Sequence, residues 1–159
     1  MKEYFINLFR YEIWANNIIA DSLTGLDNPP EKALSLMSHI INAQEVWLCR
    51  ITGKTYDMNS VWKTLSKADI KSALNNSSSA LTLYLGCLSG NDLEKYIDYT
   101  NIKGESFKSL LKDILTHLSF HSAYHRGQVK IRLKTVLNVL PSTHYIIFVR
   151  ENNSKKKKK

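Results

Sequence analysis

The segment His117-Leu-Ser-Phe-His121-Ser-Ala-Tyr-His125-Arg126-Gly127-Gln128 carries three of the chain's five histidines at successive four-residue intervals. The surrounding pattern is helical, and residues four apart on a helix stand one turn apart on nearly the same face. Two imidazoles placed that way can point at one spot, the arrangement a divalent cation needs. A further step of four drifts about 40° around the axis. His117 is therefore expected as a peripheral or supporting residue behind His121 and His125, and a site built from all three is the chief rival reading. The candidate third ligand is His39, in Leu36-Met-Ser-His39-Ile-Ile41, where apolar neighbours turn it inward. Three protein ligands leave the other coordination positions to water or substrate, as in a reactive site rather than a closed structural one. His144 is a lesser rival as a fourth ligand. Against each of these stands the plain reading of a histidine that is only packed or only solvated.

The elements that must position these rings follow from apolar spacing. Phe5, Leu8, Phe9, Ile13, Ile19 and Leu23 recur near a 3.6-residue period and predict a first helix over 4–23, ended by Gly25 and the turn Asp27-Asn-Pro-Pro30. A second helix is expected from about Glu31 to Thr52, stopped at Gly53. The stretch 54–65 holds Tyr56 and Trp62 without clean periodicity and reads as an ordered connection. Ser66 is a plausible N-cap for a third helix reaching about Leu88, weak in propensity over Asn75 to Ser79. Alternation over 94–100, a turn at Asn101 to Gly104 and then Glu105-Ser-Phe-Lys108 suggest a short β-hairpin. A fourth helix is expected from about Ser109 to Leu137, and Pro141 opens a last ordered segment, 142–150, of undetermined type. Four long amphipathic segments with a long crossover make an all-α four-helix bundle, with the hairpin just before the last long helix. Trp14, Trp47 and Trp62 are expected as core or interface packing.

Composition sets the limits. At 159 residues the chain suits one domain, taken as 1–151, and 43% apolar content is ordinary for a globular protein. No apolar run approaches the roughly 20 residues of a membrane span, and Met1-Lys-Glu-Tyr4 is no signal-peptide start, so a cytoplasmic protein without a membrane partner is expected. Cys49 and Cys87 are expected as buried, reduced thiols. The formal net charge of +8 owes five charges to Lys155–Lys159, which leaves +3 for the rest. Residues 152–159 read as a disordered lysine-rich tail, able to touch phosphates without specificity, while the body shows no basic stripe suited to specific nucleic-acid binding.

The chain resembles the DinB/YfiT-like family of small metal-dependent enzymes, unrelated to the DNA polymerase that shares the DinB label. The resemblance runs through Leu8-Phe-Arg-Tyr11-Glu-Ile-Trp14-Ala-Asn16 in the opening helix and Ser38-His39-Ile-Ile-Asn-Ala43 with Trp47-Leu48 and Ile51-Thr-Gly53 in the second. It continues in His121-Ser-Ala-Tyr-His125-Arg126-Gly127-Gln128, and Pro141 and Tyr145 fit the closing segment. The resemblance implies up-down-down-up helix order, a homodimer, and a divalent metal at His39, His121 and His125. Zinc or nickel is the expected ion, iron or copper the next choice. It implies activity as a thiol-dependent transferase or isomerase, with a low-molecular-weight thiol and a small electrophile as partners. Phe120 stands where the family frequently has asparagine, and His144 where it often has an acidic residue. Tyr124, Glu45 and Tyr11 are candidates to orient ligands, and Arg126 to grip an anionic group or to serve as a salt bridge inside the bundle. The alternative is a non-catalytic metal-binding protein of the stress-response or interaction kind.

Overall fold

The computed structural model describes residues 1–156. Four long helices form where the 3.6-residue pattern runs: α1 (Lys2–Thr24), α2 (Glu31–Thr52), α3 (Ile70–Cys87) and α4 (Leu111–Leu133). A shorter α5 (Tyr145–Lys156) follows. Between α3 and α4, strands β1 (Tyr96–Thr100) and β2 (Ser106–Leu110) pair antiparallel, Tyr96 opposite Leu110 and Thr100 opposite Ser106. The protein is thus mostly helical with one short hairpin, as the sequence suggests.

The stops have local causes. Pro30 precedes the first turn of α2, where its missing N–H is not needed. Gly53 ends α2 at φ 68, a left-handed conformation that side chains resist, and lets Lys54 N–H close onto the Cys49 carbonyl at 2.8 Å. In the hairpin turn Asn101 Oδ1 accepts from the backbone N–H groups of Lys103 and Glu105 at 2.8 and 3.0 Å.

Some boundaries differ from expectation. α3 starts at Ile70, because the Ser66 hydroxyl bonds the Asp69 carboxylate at 2.6 Å in a turn ahead of the helix. α4 starts at Leu111, since Ser109 and Leu110 still belong to β2, and it ends at Leu133. The closing segment is helical, and α5 carries 152–156 along with it, where a tail was expected. The rest of that expected tail, 157–159, lies outside the described residues. Both cysteines are free, yet Cys49 is only half-buried and Cys87 is exposed, which corrects the expectation of buried thiols.

On its buried face each long helix carries apolar residues towards both ends and polar ones near the middle. One apolar cluster gathers Ile19, Leu23, Met37, Ile41, Ile70 and Leu133. A second gathers Phe5, Phe9, Leu81, Leu85, Leu115 and Leu118. Between them lies a buried polar layer: Glu12 and Asn16 on α1, His39 and Asn42 on α2, Ser77 and Ser78 on α3, and Ser119, Ser122 and Arg126 on α4. α2 packs against α4 and α3, and α1 against α3 and α4, so the layer spans the helices at mid-height. Among the described residues every buried side-chain nitrogen and oxygen has a hydrogen-bond partner, which such burial requires. No described helix is long and apolar enough to cross a membrane.

Candidate metal centre

His39, His121 and His125 meet where α2 faces α4, and one ring nitrogen from each lies within 4.8 Å of the others. His39 is buried at 6% exposure and the other two are half-buried. His39 Nε2 stands 3.0 Å from His121 Nε2. Two nitrogens bound tetrahedrally to a metal at 2.0–2.1 Å are themselves about 3.3 Å apart, so this spacing suits a shared ion.

The outer nitrogens fix which lone pairs face inward. His39 Nδ1 lies 3.1 Å from the Val61 carbonyl, an acceptor only, so Nδ1 carries the proton and Nε2 offers its lone pair to the site. His125 Nδ1 lies 2.9 Å from Gln128 Oε1 one turn along α4, which likewise leaves Nε2 as the free ligand atom. Because His39 Nε2 presents a lone pair, His121 Nε2 donates to it across 3.0 Å in the metal-free arrangement. His39 and His125 thus each have one ring nitrogen tethered outside and the other facing the cluster, the arrangement in which histidine binds metals.

Electrostatics disfavour the protonated forms of His121 and His39. Burial pushes the His121 pKa down to about 3, helped by the charges that His125 and His39 would carry. Burial lowers His39 as well, partly offset by its bond to Val61. No carboxylate belongs to the cluster, so a bound dication would keep its full charge.

His39 is held further by a strap, residues 57–63, whose 3₁₀ turn spans Met58–Trp62. The Trp62 indole lies parallel on the His39 ring, with centroids 3.5 Å apart and planes 5° apart. Asn42, one turn from His39 on α2, donates from Nδ2 to the carbonyls of Ser60 and Lys63 at 3.0 and 2.9 Å. Trp62 is 53% exposed, so of the core or interface packing expected for it the core is excluded, and its ring covers the histidine face. Neither role was legible, because 54–65 has no period and its partners lie some twenty residues earlier.

With that geometry in view, a family comparison becomes decisive: the DinB family model matches residues 7–148. The chain belongs to the DinB family. No curated protein and no solved structure matches it significantly.

The remaining candidates of this DinB-family chain fall in different places. His117 stays out of the cluster and sets its ring edge-on to Trp47, centroids 5.6 Å apart, so the rival set of His117, His121 and His125 is not the one gathered. His144 is exposed just ahead of α5 and is no fourth member. Tyr124 is 66% exposed, touching the site only through its ring edge to His125 at 5.1 Å. Glu45 comes six residues after His39, on another side of α2, and burial raises its pKa.

Arg126 and Tyr11 belong to the far side of α4. One residue past His125 is a 100° turn, which points Arg126 into the polar layer. There Nη1 bonds Glu12 Oε2 at 2.7 Å and Asn16 Oδ1 at 2.8 Å, and Nη2 reaches the Tyr11 hydroxyl at 3.0 Å. Tyr11 passes the chain on to the Thr143 carbonyl at 2.9 Å. Arg126 thus takes the salt-bridge role, and Tyr11 ties α1 to the closing segment. The signal for this network was present: Glu12 and Asn16 fall on the same apolar stripe of α1 as Phe5, Phe9, Ile19 and Leu23.

Proposed function

We propose that the chain is a metal-dependent enzyme of the thiol-transferase, isomerase or hydrolase kind, in which His39, His121 and His125 hold a divalent ion, zinc or nickel by preference. The observation that carries this reading is the convergence of three imidazoles with the outer nitrogens of His39 and His125 already engaged by Val61 and Gln128. A divalent ion among neutral imidazoles lowers the pKa of a thiol or water that joins it towards neutrality.

The protein's own residues do the rest. Val61 and Gln128 fix two ring orientations, Trp62 keeps the outer face of His39 from turning, and burial disfavours the protonated forms of His39 and His121. A cavity of about 200 Å³ borders His39 and His121, which leaves room for a reactant and favours a reactive site over a closed structural one. The same reading includes up-down-down-up helix order, consistent with α2 packing on α4 and α1 on α3. It also includes a homodimer, for which Phe120, Tyr124 and Ile131 offer an exposed apolar face on α4.

Metal analysis of natively purified protein tests the reading. His39→Ala, His121→Ala and His125→Ala should each lose the ion, and His117→Ala should keep it. If metal removal instead unfolds the wild type, and no thiol or water can reach the ion, the site is structural and the enzyme reading fails.

A further inference from the structure

We propose that Arg50 recognises an anionic group, a carboxylate borne on an apolar chain, of the molecule that enters the cavity beside His39 and His121. This names a substrate class for the site above and rests on that reading for the position of the reacting end.

His39, Ala43, Val46 and Arg50 follow one another along a single face of α2 at steps of four, three and four. All four line the cavity of about 200 Å³ that reaches His121. Eleven residues of helix separate the Cα atoms of His39 and Arg50 by about 16 Å, so the two groups mark opposite ends of one trough. Its middle is apolar, with Trp47 and Met58, and the hairpin turn adds Ile102. No carboxylate lines it, and Arg50 is its one Lys or Arg side chain.

Arg50 is half-buried and, among the described residues, pairs with no carboxylate. Arg126, the buried arginine of the polar layer, has Glu12; Arg50 has no equivalent. Its guanidinium carbon sits 4.5 Å above the Trp47 ring and 5.2 Å from Tyr99, a stacked position that holds the fork in place. Nη2 donates to the Thr100 carbonyl at 2.7 Å and lies 3.7 Å from Met58 Sδ. A guanidinium has five N–H donors, and Nη1 and Nε find no protein acceptor among the described residues. Burial works against the charge, which is the condition an incoming anion relieves. An oriented, partly desolvated cation with spare donors at the end of an apolar trough selects a carboxylate over a neutral isostere.

The test compares hexanoate with hexanamide, binding to the metal-free full-length protein being read by tryptophan fluorescence. Wild type should bind hexanoate about tenfold tighter than hexanamide or better, as expected for hydrogen bonds to a charged group. Arg50→Gln should bring the two to parity, and Arg50→Lys should restore part of the difference. Equal binding of the two by wild type, or a preference that survives Arg50→Gln, overturns the proposal. The wild-type comparison needs no variant to fold. A cobalt titration of the same preparations separates the two readings: absent cobalt binding overturns the histidine site, and a hexanoate preference seen beside it still upholds the anion-binding role of Arg50.

Discussion

The Trp62 indole covers the His39 imidazole at a centroid separation of 3.5 Å, nearly parallel at 5°. His39 is thereby fixed in two directions, its plane by the indole and its edge by the Val61 carbonyl from the same strap. An imidazole held this way would lose little rotational freedom on binding an ion, and that freedom would otherwise weaken binding.

Removing the indole should therefore weaken metal binding without unfolding the protein. Trp62→Ala should lower affinity by about tenfold, the lower end of what losing an outer contact of a ligand costs. The unfolding midpoint of the metal-free protein should barely move, because Trp62 is 53% exposed. Competition against a colorimetric chelator measures the first and thermal unfolding the second. An unchanged metal affinity would show that the stacked ring does not orient His39.

Asn42 should matter more to the fold than Trp62 does. It is 6% exposed and holds the strap by two carbonyls. Asn42→Ala removes the donor of the Lys63 carbonyl and one of the two donors of the Ser60 carbonyl, and should destabilise the protein by about 1–3 kcal/mol. Asn42→Asp should be no better, since an ionised carboxylate offers acceptors where donors are needed. Denaturant titration gives the stability, and limited proteolysis within 57–63 shows whether the strap has come loose. Wild-type resistance to cleavage in Asn42→Ala would mean that something else secures it.

The sequence displays what repeats along one helix and hides what depends on a distant partner. His121 and His125 are legible because four-residue spacing is a local property, and His39 because apolar neighbours on both sides force it inward. Trp62 sits in a segment without period, so nothing nearby shows that its ring will find a histidine 23 residues earlier. Arg126 bears out its salt-bridge reading: beside His125 in sequence, it faces away from the histidine cluster because one helical step is 100°, and it pairs with Glu12. Helix ends are blurred where Ser66 and Ser109, both reasonable starters, are taken up by a turn and by β2.

Acid should weaken the metal-free protein through the His39 and His121 rings. His39 and His121 have pKa values below the ordinary 6.5, His121 down to about 3. Between those values the unfolded chain holds more protons than the folded one, so stability rises with pH across that window. The contribution is fully present above 6.5 and is lost as pH falls towards 3. His121→Gln removes one of these groups and should lose less stability than wild type between about pH 7 and 5. Denaturant titrations with chelator present measure both slopes. Parallel slopes would refute the depressed value at His121.

The buried pair of Glu12 and Arg126 makes a different demand, because both side chains are only 3% exposed. Removing one partner strands the other charge in the polar layer between the two apolar clusters, at a cost of about 3–5 kcal/mol. Arg126→Met should therefore be severely destabilised, as should Glu12→Leu. Changing both together removes the stranded charge, and Glu12→Leu/Arg126→Met should recover much of the loss, since apolar replacement of a whole buried pair is often neutral. Full recovery is not expected, because Asn16, Ser122 and Tyr11 also bond Arg126 and would need new partners. Metal affinity offers the second measurement. Arg126 points away from the histidine cluster, so the double variant should bind metal nearly as wild type does. A double variant as unstable as the sum of the singles would place the energy in the wider network rather than in the ion pair. Loss of metal in a well-folded double variant would tie Arg126 to the site after all.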